Sequence, residues 1–216
     1  RPDRSRMTRE QRSFSIAFPH ATLHGVLLLP AMSRGLVVFV AARDCATLAT
    51  TGGIAEALHH VGFSTLTIDL LIDSEAHFAD AETHLPHLAE RLLGVISYLH
   101  RQMEADAIPD QPIGLVAAGD ATPLAVRVAA LRDKEIHAVV CHGGLVDLAG
   151  LQYLKVLQAP LLLIADAADD IASRNLQRAK PHIAGVALLE RLPGDVADPA
   201  AAMAALTVSW FQRCLR

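Results

Sequence analysis

Aromatic rings are scarce in this chain of 216 residues: one Trp, two Tyr and six Phe make up 4% of it. With so few rings and a net charge of −4, neither a stacking platform nor a basic face for nucleic acid is expected. Cysteine is limited to Cys45, Cys141 and Cys214, whose wide spacing fits neither a chelating motif nor a paired framework. Free thiols in a reducing, cytoplasmic setting are expected instead. The longest apolar stretches, at 25–32 and 36–42, fall far short of the roughly 20 residues of a spanning helix, so no membrane association is expected. Residues 1–12 carry five arginines with no apolar run behind them, which does not read as a secretory leader. They are read as a flexible extension, with Met7 as a candidate natural start, ahead of a single domain at 13–216.

Charge is also sparse, at 19% of residues against 52% hydrophobic. That balance suits a sheet covered on both faces. Apolar runs of strand length recur at 13–18, 22–29, 35–40, 64–70, 113–117, 136–141, 160–165 and 186–191. The first two flank the short turn Pro19-His20-Ala21 and predict an antiparallel hairpin. Helical patterns fill most of the gaps: 51–61 ending at Gly62, 79–103 with Pro86 near its true start, 120–131, 171–183 and 199–215. One or two short helical turns are expected within 145–156. Alternation of this kind predicts an α/β domain: a mostly parallel, twisted sheet of about eight strands with an N-terminal antiparallel hairpin, helices on both faces and no lid domain.

The segments GLVVFVA from Gly35, GFSTLTIDLL from Gly62, LAERLLGVISYL from Leu88 and IGLVAAGDATPLAVRVAAL from Ile113 resemble the α/β-hydrolase fold. So do AVVCHGGLVDLAG from Ala138, APLLLIADAADD from Ala159 and WFQRCL near the end. Within that fold the likeness is to the small dienelactone-hydrolase-like family, some of whose members are fused to phosphoribosyltransferases. The resemblance implies a serine on a strained G-x-S-x-G turn, an acid after a later strand and a histidine last. The histidine takes the serine proton and the acid orients the imidazole.

Set on that pattern, the serine position falls on Gly119, flanked by the small residues Ala117 and Ala121. No serine occurs between Ser97 and Ser173, so a slip of one or two residues does not restore it. The acid position falls on Asp169, with Asp166 and Asp170 beside it. No histidine follows His182, so the resemblance leaves the chain without its general base. The loop that supplies the family's oxyanion donors reads Ala41-Ala42-Arg43-Asp44-Cys45, with Cβ-bearing residues where glycine lets backbone N–H groups approach closely.

Other residues offer replacements. Asp120, beside Gly119, is read first as the cap or first-turn acid of the following helix. As a nucleophile it would resemble the aspartate of related dehalogenase-type and epoxide-hydrolase enzymes. Cys45, on a loop at the strand ends where such sheets bind ligands, could pair with His142 and have its thiol acidified by Arg43. The other reading of Cys45 is an unreactive small core residue. His77, Asp80, His84 and His87 share one possible helical face, but Pro86 interrupts it, and no metal is expected. His59-His60 read as a surface pair before Gly62. Gly52-Gly53 and Gly143-Gly144 lack nucleotide-loop spacing, and no cofactor is expected.

Three readings follow. In the first, the fold is catalytically silent and acts by binding a small molecule in the crevice at the strand ends, near Ala41, Arg43, Cys45 and His142, or as a subunit of an assembly. In the second, Asp120 or Cys45 serves a rebuilt ester or lactone hydrolase. In the third, the role is structural, with Trp210, Phe211, Leu215 and the edge hairpin as contacts to a partner or a second copy. Fold alone does not choose among them.

Overall fold

The computed structural model describes residues 10–78 and 80–216. The arginine-rich extension therefore lies mostly outside the described residues, and β1 (Glu10–Phe18) starts three residues earlier than the pattern predicts. Its residues pair antiparallel with β2 (Ala21–Leu29), Glu10 facing Leu29 and Phe18 facing Ala21. Every second side chain of β2 is buried, as expected of a strand with one covered face. The remaining strands are β3 (Leu36–Val40), β4 (Ser64–Ile68), β5 (Ile113–Ala118), β6 (Ile136–His142), β7 (Leu161–Ala165) and β8 (Ala187–Arg191). The sheet runs β1-β2-β4-β3-β5-β6-β7-β8, antiparallel as far as the β2–β4 junction and parallel from β4 to β8. β3 and β7 are buried at every residue, the signature of parallel strands covered on both sides.

The covering helices divide between the faces. Helices α3 (Leu85–Glu104), α4 (Thr122–Leu131) and α6 (Asp170–Ala179) pack on one side through Leu92, Val95, Leu124, Val128 and Leu176. Helices α1 (Cys45–Thr50), α2 (Ile54–His60) and α7 (Pro199–Cys214) cover the other through Cys45, Ile54, Leu58, Trp210 and Phe211. A four-residue helix, α5 (Leu151–Leu154), follows β6, with a 3-10 turn at Val146–Ala149 before it. Trp210, Phe211 and Leu215 are 4% exposed or less, so they hold the core and do not form an outward contact surface.

Several boundaries differ from the pattern. Residues 45–50, expected as loop, form α1. The helix expected at 51–61 begins as a 3-10 turn, because Gly52 takes φ +60°, and becomes α2 only at Ile54. The long helix starts at Leu85, with Pro86 in its first turn, where the missing N–H has no helical partner to lose. His59 is buried at 3% exposure, its Nε2 2.8 Å from Thr65 Oγ1, so the His59-His60 pair straddles core and surface.

Candidate functional site

The carboxyl ends of the parallel strands form a crest, where open α/β sheets bind their ligands. β5 leaves the sheet extended at Ala118, Gly119 turns sharply at φ +52°, and a 3-10 turn over Gly119–Ala121 leads into α4. This is the strand–turn–helix of a nucleophile elbow, carrying a glycine. The left-handed backbone that strains any other residue is free of penalty there. A Cβ built on Gly119 would meet nothing within 4 Å, so the place where a side chain would stand is open.

Asp120 is exposed beside it and makes no capping bond to the helix. It lies in the first turn after Ala118, one of the two readings the sequence offers, and the cap positions at this helix start are Ala118 and Ala121, so it is not the cap. Two cavities share it as lining. The larger, of about 180 Å³, is walled by Ala41, Ala42, Arg43, Asp44, Glu82 and Leu88 together with the elbow. The smaller, of about 80 Å³, has Gly119, Pro123, Leu85, Leu145 and Leu148 in its wall. One compartment is rich in carboxylates, and the other is mostly apolar.

The position that the resemblance gives to the acid, Asp169, also lies at the crest. Asp169 is the N-cap of α6, its Oδ1 accepting from the Ala172 N–H at 3.0 Å, while Ser173 Oγ donates to its carbonyl at 2.9 Å. Its other oxygen lies 3.1 Å from a Cβ built on Gly143. The Gly143-Gly144 turn separates acid from elbow: a Cβ on Gly144 would come within 2.2 Å of the Gly119 carbonyl oxygen. Thr122 Oγ1 donates to the Gly143 carbonyl at 2.8 Å and locks this turn to the start of α4. Arg191 donates to the Ala167 carbonyl and to Asp170 Oδ1, both at 2.7 Å, which fixes the acid loop against β8.

The connection from β8 to α7 brings no imidazole to the crest. It passes beside Ala167 at Gly194 and ends at Asp198, which caps α7 by accepting from the Ala201 N–H at 3.0 Å. His142, the last residue of β6, reaches the carboxyl end of the sheet but is engaged elsewhere. Its Nε2 lies 2.8 Å from Thr207 Oγ1, and Thr207 donates its own proton to the Met203 carbonyl at 2.8 Å. The Thr207 oxygen therefore accepts, and His142 carries its proton on Nε2. Burial pushes the pKa of His142 down to about 4, so the ring is neutral near pH 7.

The proposed pairing of Cys45 with His142 is not formed. Cys45 opens α1, buried at 1% exposure, and its thiol donates to the Phe39 carbonyl at 3.1 Å. Burial pushes the thiol up to about 12, against the acidification expected from Arg43. The Arg43 guanidinium lies instead 3.5 Å from Asp73 in solvent. Asp69 Oδ1 accepts from the Cys45 N–H at 2.8 Å, and Asp44 takes φ +57° to start the helix. The loop after β3 is thus built to begin α1, with Ala41, Ala42 and Arg43 left facing the crevice.

His77, Asp80, His84 and His87 do not act as a set. His84 Nδ1 caps α3 by accepting from the His87 N–H at 3.4 Å, and His87 Nε2 lies 3.8 Å from Glu75. Among the described residues, no three His, Cys, Asp or Glu side chains gather as a metal ion requires. Sequence reasoning missed the arginines that anchor the crest. Arg127 of α4 donates twice to the Ala149 carbonyl, at 3.1 and 3.0 Å, and lies over Tyr153, fixing the wall that bears Leu145 and Leu148. Arg91 of α3 holds the opposite wall. The available signal was a cation inside an apolar helical stripe, three residues after Leu88 and four before Val95.

Dienelactone hydrolase from Anabaena variabilis superposes with a TM-score of 0.84 at 25% identity, covering 96% of this chain and 99% of that one. This chain has a dienelactone-hydrolase-like α/β-hydrolase fold. A cold-adapted esterase from an Arctic intertidal metagenomic library shares the fold, with a TM-score of 0.73, 18% identity and coverage of 99% and 97%. No family model matches the chain. In sequence, the chain is 33% identical over 171 residues to proteins from two strains of Mycobacterium tuberculosis, named provisionally as phosphoribosyl transferases. The match takes in 79% of this chain and spans 38% of the length of those relatives. Among the described residues, no helix of this fold is long and apolar enough to cross a membrane.

Proposed function

We propose that this chain is a hydrolase-fold binding module without serine-hydrolase chemistry, holding a small molecule in the crest crevice within a larger assembly. The carrying observation is Gly119: the elbow keeps its backbone and its open space, and no hydroxyl stands on it. Acyl transfer by this fold needs an attacking oxygen and a base to take its proton. Among the described residues, the elbow carries no serine, and His142, at the end of β6, donates its Nε2–H to Thr207. The length of the Mycobacterium relatives beyond the match, and their naming as phosphoribosyl transferases, support a role as one part of an assembly. Three free cysteines fit a reducing, cytoplasmic setting for it. The test is turnover of short p-nitrophenyl esters together with labelling by a fluorophosphonate probe. We expect neither; turnover that a single crest substitution abolishes would overturn the proposal.

One observation favours a second reading. Asp120 is exposed, caps nothing and lines both cavities, so its carboxylate is placed where a substrate could reach it. Attack by that carboxylate on the alkyl carbon of an ester or lactone would break the alkyl C–O bond, release the substrate's own carboxylate and leave an aspartyl ester, which water would hydrolyse at the aspartyl carbonyl to free the alcohol. A single turnover in ¹⁸O-labelled water would then leave the isotope in Asp120, and unlabelled Asp120 after product formation would exclude it. Cys45 has no such support, because its thiol is buried and raised to about 12.

A further inference from the structure

Arg91 is a costly residue to bury. Its side chain is 4% exposed, and a guanidinium so placed must find acceptors for the water it loses. Nη1 donates to the Leu70 carbonyl at 3.1 Å, and Nη2 donates to Glu75 Oε1 at 2.5 Å. The guanidinium also lies 5.2 Å from the centre of the Phe18 ring. Both acceptors belong to one stretch, residues 70–78, on the way from β4 to α3. Glu75 uses its second oxygen to accept from the Ile72 N–H at 3.1 Å, so the carboxylate that pairs with Arg91 also closes the local turn. That stretch is joined in turn to the loop after β3. The Leu71 N–H donates to the Ala42 carbonyl at 3.0 Å, and Asp73 faces Arg43 at 3.5 Å. Ala42 and Arg43 are wall residues of the larger cavity.

We infer that Arg91 is a positioning residue for the crevice: by fixing Leu70 and Glu75 it fixes, through Leu71–Ala42 and Asp73–Arg43, the wall that Ala42 and Arg43 present to a ligand. The inference deepens the reading of the crevice as a binding site and rests on it for its biological meaning. Its physical content is independent of any ligand. Replacing Arg91 by an apolar chain of similar length leaves the Glu75 carboxylate and the Leu70 carbonyl without their donor, so some loss of stability is expected, moderated because Glu75 at 20% exposure keeps access to water. The same change releases the wall. A local release is told from general loosening by comparing the crevice with the buried core.

Gly119→Cys supplies the reporter, since its side chain enters open space at the crevice. The rate of alkylation of the introduced thiol by iodoacetamide measures access. The native thiols are internal controls, Cys45 and Cys141 being buried and Cys214 half-buried on α7. In Arg91→Met we expect the reporter to react at least about fivefold faster, with Cys45, Cys141 and Cys214 unchanged even though the melting temperature falls. Glu75→Gln, which keeps an acceptor, should give a smaller rise than Glu75→Ala. A reporter rate within about twofold of the parent in folded Arg91→Met would overturn the inference, and so would a rise matched by Cys45 and Cys141, the mark of general loosening. Should Arg91→Met fail to fold, Glu75→Ala carries the same test from a half-buried site. Ester turnover, which would sink the binding proposal, does not enter this measurement.

Discussion

At the acid corner of the crest, Asp169 is structurally employed. Its carboxylate satisfies the Ala172 N–H at the start of α6, and Arg191 ties the loop beside it to β8. At the elbow corner, Gly119 contributes only backbone, its carbonyl accepting the Thr122 N–H, and a Cβ there would touch nothing within 4 Å. The two corners lie on one crest, with the Gly143-Gly144 turn between them. The difference teaches that a group serving only the reaction can be absent without disturbing its neighbours. A group that also satisfies a helix terminus cannot.

The largest effect that bears on this comparison should come from Gly144→Ala. The added Cβ would sit 2.2 Å from the Gly119 carbonyl oxygen, and backbone at φ +87° is strained for alanine. A loss of about 3 kcal/mol or more is expected in denaturant unfolding. A loss below about 1 kcal/mol would mean that turn and elbow are not in close contact.

Acid comes next. His142 is held neutral, with its pKa lowered from 6.5 to about 4. A depressed histidine stabilises the fold fully above its ordinary value, and that contribution is lost as pH falls from about 6.5 through about 4. For this half-buried ring the loss should amount to roughly 2 to 3 kcal/mol. The melting temperature should fall across that window in the parent and fall less in His142→Gln; equal slopes would show that the ring titrates as it does in water.

Asp169→Ala should cost about 1 to 2 kcal/mol in denaturant unfolding, the usual loss for an N-cap. Gly119→Ala should cost about 1 kcal/mol, for backbone strain alone. Asp120→Ala should change stability by less than about 0.5 kcal/mol, since the side chain is exposed and caps nothing. An Asp120→Ala cost equal to that of Asp169→Ala would erase the contrast between a free carboxylate and a working cap.

Much of the scaffold was legible because strand patterns are local. The eight apolar runs, the hairpin turn and the Pro86 helix start each depend on a handful of adjacent residues. That no serine stands at the elbow was legible too, once IGLVAAGD was set against the family pattern. What escaped depended on partners distant in sequence. Helix α1 lacks a cap of its own and borrows Asp69 from the end of β4. His59 is drawn inward by the Thr65 hydroxyl, although two adjacent histidines on a helix suggest a surface. Arg91 hid inside a stripe that periodicity alone fills with apolar side chains.

Two things were therefore settled by the order of residues: a parallel sheet covered on both faces, and a crest without serine or a late histidine. Both follow from side-chain type at near neighbours, where propensity and alternation act. The state of each remaining group was settled only by packing. Cys45 is inert, His142 is neutral with its proton on Nε2, Asp169 caps a helix, and Arg91 is matched to Leu70 and Glu75. Desolvation and hydrogen-bond pairing set those states, and both depend on which distant residues the fold brings within about 3 Å.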